Sequence, residues 1–133
     1  MRILIVDDGA TNRLVLNAML EGMGEVVMAE NGVQAVWAFE ESLTSDDPFD
    51  LVCLDIIMPE MDGLEALHTM RAAERRHEAK RSLIVMVTAS RNPDHMLAAL
   101  KREGCDGFVV KPVLWQTLRR VIARHGLIGE GVV

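Results

Sequence analysis

The sequence predicts an α/β fold: a five-stranded parallel sheet, doubly wound, with helices on both faces. Three observations predict it. Five short apolar runs begin at Ile3, Val26, Leu51, Leu83 and Gly107, as expected of strands buried on both faces. Segments with helical periodicity separate these runs, so strand and helix alternate along the chain. The connections are short, which leaves right-handed crossovers between parallel neighbours.

Each element has a local reason. Ile3-Leu4-Ile5-Val6 forms the first strand, and Asp7-Asp8 ends it. Leu14, Leu16, Ala18, Met19 and Leu20 recur at roughly helical spacing, and Gly22 and Gly24 close that helix. Val26-Val27-Met28-Ala29 is the second strand. Val33, Val36, Trp37 and Phe39 suit a second helix starting near Asn31. The polar stretch from Leu43 to Pro48 reads as a loop. Leu51-Val52-Cys53-Leu54 is the third strand, ending at Asp55, and Met58 to Gly63 is a loop. Leu64, Leu67 and Met70 share one side of the third helix, whose exposed end is expected to run from Arg71 to Arg81. Leu83 to Val87 is the fourth strand, ending at Thr88. Asn92-Pro93 reads as an N-cap followed by proline at the first helical position, so the fourth helix starts there, and Gly104 ends it. Gly107 to Val110 is the fifth strand, ending at Lys111-Pro112, and the fifth helix runs from about Leu114 to Arg124.

The chain has 133 residues, one domain's length, expected to occupy 1–125 with 126–133 as a short tail or linker stub. A composition of 50% hydrophobic and 26% charged residues excludes a disordered chain and a disulfide-stapled mini-protein. Fourteen basic against 20 acidic residues, net −6, argue against a dedicated nucleic-acid binder. The charge is uneven. Residues 1–70 carry 14 acids and two bases, and the remainder carries six acids and 12 bases. Asp7 and Asp8 cut the first apolar run short, so it is no signal peptide. No run approaches the roughly 18 residues of a membrane span. The expected location is therefore cytoplasmic, with Cys53 and Cys105 as free thiols.

In open α/β sheets, ligands bind beyond the carboxyl ends of the strands. The residues there are Asp7, Asp8, Asp55, Thr88 and Lys111. Three carboxylates together repel one another unless a cation sits among them. An all-oxygen set with open positions suits Mg²⁺, or Mn²⁺. A carboxylate beside such an ion can attack phosphorus, while a lysine and a hydroxyl hold the oxygens of a transferred phosphoryl group. The set therefore makes sense as phosphoryl acceptance by an aspartate. Plainer readings exist for each residue: Asp7-Asp8 as helix caps, Thr88 as a strand end, Lys111 as a solvated lysine. Two acids directly after a buried strand are costly without a partner, which favours the metal reading.

Four pieces in order, each at a strand end, resemble the receiver domain of bacterial two-component response regulators. They are Val6-Asp7-Asp8, Leu54 to Gly63, Val87-Thr88-Ala89 and Phe108 to Pro112. The resemblance runs from Ile3 to about Arg124. It implies a (βα)5, flavodoxin-like or CheY-like fold with strand order 2-1-3-4-5. It implies Asp55 as phosphoacceptor, and Mg²⁺ held by Asp8, Asp55 and the backbone carbonyl of Ile57, with Asp7 acting through water. Lys111 would pair with the phosphoryl oxygens, and its bond to Pro112 would be cis. Thr88 and Phe108 would form the switch that reports phosphorylation, although a phenylalanine on a strand is also ordinary core. Ile57 and Ser90 sit where the family tunes phosphoryl loss, and Ile57 has no polar group to orient water, so a phosphorylated state that is not especially short-lived is expected.

The implied partners are a histidine kinase or histidine phosphotransfer protein, and a downstream protein target. Apolar Val113, Leu114 and Trp115 replace the family's polar cap at the fifth helix. That points to docking or homodimer formation through the face of helix four, strand five and helix five, unless these side chains are tucked into the core. No nucleic-acid or membrane partner is expected. The basic cluster Arg71, Arg75, Arg76, Lys80 and Arg81 reads as a solvated helix end, with Glu74 and Glu78 interleaved. The four histidines show no ligand spacing. The methionines are mostly core, though Met19 and Met23 could face a partner. The resemblance implies a regulatory domain rather than an enzyme. A small metal-dependent phosphatase is the main alternative, but it lacks a second acid two residues after Asp55. A receiver-like module that is never phosphorylated is the other, and the complete acidic set argues against it.

Overall fold

The structure is a computed structural model that describes residues 1–102 and 104–127; part of the expected 126–133 tail therefore lies outside the described residues. Five strands, β1 (Arg2–Val6), β2 (Glu25–Ala29), β3 (Leu51–Leu54), β4 (Leu83–Thr88) and β5 (Gly107–Val110), form one parallel sheet in the order β2-β1-β3-β4-β5. Five helices connect or follow them: α1 (Ala10–Leu20), α2 (Gly32–Thr44), α3 (Gly63–Arg76), α4 (Pro93–Leu97) and α5 (Trp115–Arg124). The predicted class and strand order are both observed.

Alternation of side chains along each strand splits the core in two. Leu4, Val6, Val52, Leu54, Ile84 and Met86 point to the face covered by α2 and α3, where Phe39, Leu67 and Met70 meet them. Ile3, Ile5, Cys53, Val85 and Val87 point to the opposite face, against Leu16 and Leu20 of α1 and Leu118 and Ile122 of α5. Every residue of β3 and β4 is buried, which is why these strands read as unbroken apolar runs. Asn92 caps α4 as its sequence predicts, accepting a hydrogen bond from Asp94 N at 2.9 Å, with Pro93 next. Both cysteines are free and buried.

Two expectations need correction, at the end of the second helix and along the third, and two further regions gain detail. The segment from Leu43 is not yet loop, because α2 continues to Thr44. Leu43 follows Phe39 by one turn on the buried face, and the Ser42 hydroxyl donates to Phe39 O rather than breaking the helix. The third helix ends at Arg76, and its end is not uniformly solvated. Arg71 and Glu74 are buried, whereas Arg75, Arg76, Lys80 and Arg81 are exposed. Arg71 donates to Glu74 Oε1, Ser82 O, Gly104 O and Asp106 Oδ2, all within 2.8–2.9 Å, and so ties α3 to the entries of β4 and β5. The fourth helix is α only to Leu97 and continues as a π-helical turn, Ala98–Arg102. At α5 the two apolar residues part ways: Leu114 is 62% exposed as an uncapped N-cap, while Trp115 is half-buried against the core.

Candidate functional site

The register builds the site. Val6 pairs with Leu54, so Asp7 and Asp55, one residue beyond each, emerge side by side. Asp55 N donates to Val6 O at 3.1 Å, and Asp7 N to Ala29 O at 3.2 Å, holding both backbones in the sheet. Thr88 pairs with Val110, and Lys111 N donates to Thr88 O at 2.9 Å, which brings the lysine to the same edge. The Lys111-Pro112 bond is cis, as the resemblance implies.

One carboxylate oxygen from each of Asp7, Asp8 and Asp55 lies within 4.8 Å of the others. Asp7 and Asp55 are buried and Asp8 is exposed, so the cluster opens to solvent on one side. The Lys111 ammonium bridges the two buried acids, 2.5 Å from Asp7 Oδ2 and 3.0 Å from Asp55 Oδ2. Burial alone would push this ammonium's pKa down. Its hydrogen bonds to Asp7 and Asp55, with the attraction of both charges, outweigh burial and raise it. One lysine against three carboxylates leaves an excess of two negative charges, and an oxygen-only pocket with that excess fits a divalent cation.

Other groups fix these side chains. Asp7 Oδ1 accepts from Gly9 N at 2.9 Å and from Asn12 Nδ2 at 3.3 Å, and the Arg13 guanidinium donates to Asp7 O. Ile57 N lies 3.4 Å from Asp55 Oδ1. Gly63, the first residue of α3, donates to Ile56 O at 2.8 Å and packs so tightly that a Cβ there would lie 1.9 Å from Asp55 O. Only glycine lets the helix start this close to the strand end.

Asp7, Asp8, Asp55 and Lys111 thus converge as expected. Thr88 is fully buried, and its hydroxyl accepts from Ser90 N at 3.2 Å; among the described residues it makes no side-chain bond to Asp55 or Lys111. Phe108 is half-buried against the α2–α3 side of the core. The side chain of Ile57 is exposed. Sequence reasoning missed Asn12 and Arg13, which no pattern marks, and the bond of Ser90 Oγ to His95 Nδ1 at 2.7 Å. Proximity of His95 to Ser90, across the start of α4, was the available signal.

The comparisons agree with this geometry. The response regulator receiver domain family matches residues 3–123. A Chemotaxis protein CheY homolog of Campylobacter jejuni is 36% identical, covering 98% of this chain and 95% of that protein. Sensor protein GacS of Pseudomonas syringae is 37% identical over 92% of this chain, which spans only 13% of that protein's length. The crystal structure of the receiver domain of the histidine kinase CKI1 from Arabidopsis thaliana, complexed with Mg²⁺, superposes with a TM-score of 0.83 at 30% identity, covering 93% of this chain and 90% of that one. With a parallel sheet of the order β2-β1-β3-β4-β5, an acidic cluster at its carboxyl edge and a match over nearly its whole length, the chain belongs to the response regulator receiver domain family.

Proposed function

We propose that this chain is a phosphoacceptor switch that takes a phosphoryl group on Asp55 from a histidine kinase or a histidine phosphotransfer protein. The observation that carries the reading is the Lys111 ammonium seated between Asp7 and Asp55, beside Asp8. A carboxylate oxygen of Asp55 attacks phosphorus, the bond from phosphorus to the donor's imidazole nitrogen breaks, and the imidazole leaves. Lys111 offers its hydrogens to the incoming phosphoryl oxygens, which replace part of its present bonding to Asp55. Asp8, Asp55 and the Ile57 carbonyl, with Asp7 through water, would hold Mg²⁺ or Mn²⁺, which would supply charge neutralisation for those oxygens.

Thr88 is the residue that turns toward the phosphoryl group, and Phe108 the one that responds. Both lie on neighbouring strands that lead to the face of α4, β5 and α5. There Met96, Leu97, Leu100 and Leu114 are all at least 40% exposed, a surface suited to a downstream protein or a second copy of the chain. The setting we infer is cytoplasmic; among the described residues no helix is long and apolar enough to cross a membrane.

Acetyl phosphate with Mg²⁺, followed by intact-mass measurement, tests the proposal. One added phosphoryl group is expected on the native chain and none on Asp55→Ala. Repeated turnover of small phosphate esters would instead favour a phosphatase. Because Ile57 is apolar and exposed, the phosphorylated form should not be especially short-lived; release with a half-life of seconds would overturn that part of the reading.

A further inference from the structure

A second surface lies away from the phosphoryl site, along the outer edge of the sheet. β2 is a terminal strand, so one side of its backbone has no strand partner among the described residues. Between β2 and α2 runs a groove of about 270 Å³, whose lining includes Arg2, Val27, Trp37, Glu41, Asp47 and Phe49. Trp37 is 69% exposed and Val33, one turn before it, 49% exposed. A bare tryptophan beside a bare valine is costly without a purpose, and tryptophan is enriched among residues that dominate protein interfaces.

Acids outnumber cations around the groove, although Arg2 lines it with its guanidinium 4.5 Å from the Phe49 ring centroid. Residues 25–50 hold seven acids, Glu25, Glu30, Glu40, Glu41, Asp46, Asp47 and Asp50, and no lysine, arginine or histidine. Cations from elsewhere answer some of them: Arg2 sits near Glu25 and Asp47, Arg13 near Glu30, and Arg76 bonds Glu40. Among the described residues no cation pairs with Glu41 or Asp46. The edge is also short of the usual protection: β2 carries no lysine or proline, which natural sheets use to blunt a free edge.

We propose that this groove docks an extended, lysine- or arginine-rich segment of a partner protein, added along the outer edge of β2 with an apolar side chain laid on Trp37. Backbone pairing to a free edge supplies affinity, and alternate side chains supply specificity. The acidic rim selects basic over acidic segments and speeds encounter. Two acids of the negative first half that the phosphoryl site does not use, Glu41 and Asp47, line this surface.

Selection of random linear peptides displayed on phage, against the native unphosphorylated chain and in parallel against Asp55→Ala, tests the idea without depending on phosphorylation. Expected are basic peptides with one apolar anchor, recovered equally on both proteins. Their binding should fall at least tenfold on Trp37→Ala and on Glu41→Lys, and should weaken as salt rises. Both substitutions are on the surface, and unchanged circular dichroism and melting would show that the variants fold. Acidic peptides, peptides indifferent to both variants, or no peptides above background would overturn the proposal. So would a Trp37-dependent dimer in sedimentation, since the occupant would then be a second copy.

Discussion

Asp8→Asn offers the sharpest test of the proposed cation site, because stability and function should respond in opposite directions. Asp8 shares a space of 4.8 Å with Asp7 and Asp55. At that separation a like-charged pair costs about 1 kcal/mol at the dielectric constant of water and about 3.5 kcal/mol at an effective value of 20. Asp8 is exposed, so the watery limit governs its two pairs, and salt trims the total to about 1–2 kcal/mol. The substitution forfeits no ion pair with Lys111, whose ammonium, among the described residues, bonds Asp7 and Asp55. In chelator-treated buffer the variant should therefore be more stable by about 1–2 kcal/mol, or about 3–10 °C in melting temperature. Adding Mg²⁺ should reverse the order. The native protein gains about 2.7 kcal/mol at a hundredfold excess over its dissociation constant, and the variant, short of a ligand, gains less. Melting followed by circular dichroism across a Mg²⁺ series reads both effects. A variant no more stable than the native protein in chelator, or one lifted equally by Mg²⁺, would refute the reasoning.

Other consequences follow from packing. Arg71→Met should cost about 3–5 kcal/mol in urea denaturation, since it leaves buried Glu74 without its cation and removes the Arg71 donor from Ser82 O, while Gly104 O keeps Arg81; a loss below 1 kcal/mol would mean the network is dispensable. Gly63→Ala should lower stability by about 1–3 kcal/mol. It should also slow phosphorylation by acetyl phosphate by about tenfold or more, because the new Cβ must displace Asp55 O or the start of α3. Burial pushes the Cys53 thiol up to about 12, and burial with the nearby Asp106 charge pushes Cys105 up to about 11. Both should resist a thiol-reactive dye at pH 8 in the native state and react at once in urea. Their unfolded thiols ionise first, so this contribution to stability is intact below about pH 9 and declines as pH rises above it.

The strands were legible because each carries a short apolar run, with β3 and β4, buried at every residue, the clearest cases and the edge strand β2 the most exposed. Four site residues were legible for a related reason: a charged residue directly after such a run must lie at a strand end. The end of α2 was not, because Ser42 and Thr44 look like loop residues yet bond carbonyls of their own helix. Arg71 was misread because a basic residue among Arg75, Arg76 and Arg81 gives no local sign of being buried. Its four acceptors come from as far away as Asp106, and nothing near it in sequence announces them.

By itself, then, the sequence determined the alternation of strand and helix, the parallel sheet and the identity of the acids at its carboxyl edge, since these follow from local burial and spacing. The tertiary structure decided what those groups do to one another. It set Lys111 between Asp7 and Asp55, 104 and 56 residues away along the chain. It pressed Gly63 against Asp55, buried Arg71, and set Glu41 and Asp47 in one groove with an exposed tryptophan near the free edge of β2. Charge pairing and close approach depend on distances between segments far apart in the chain, and only folding sets those distances.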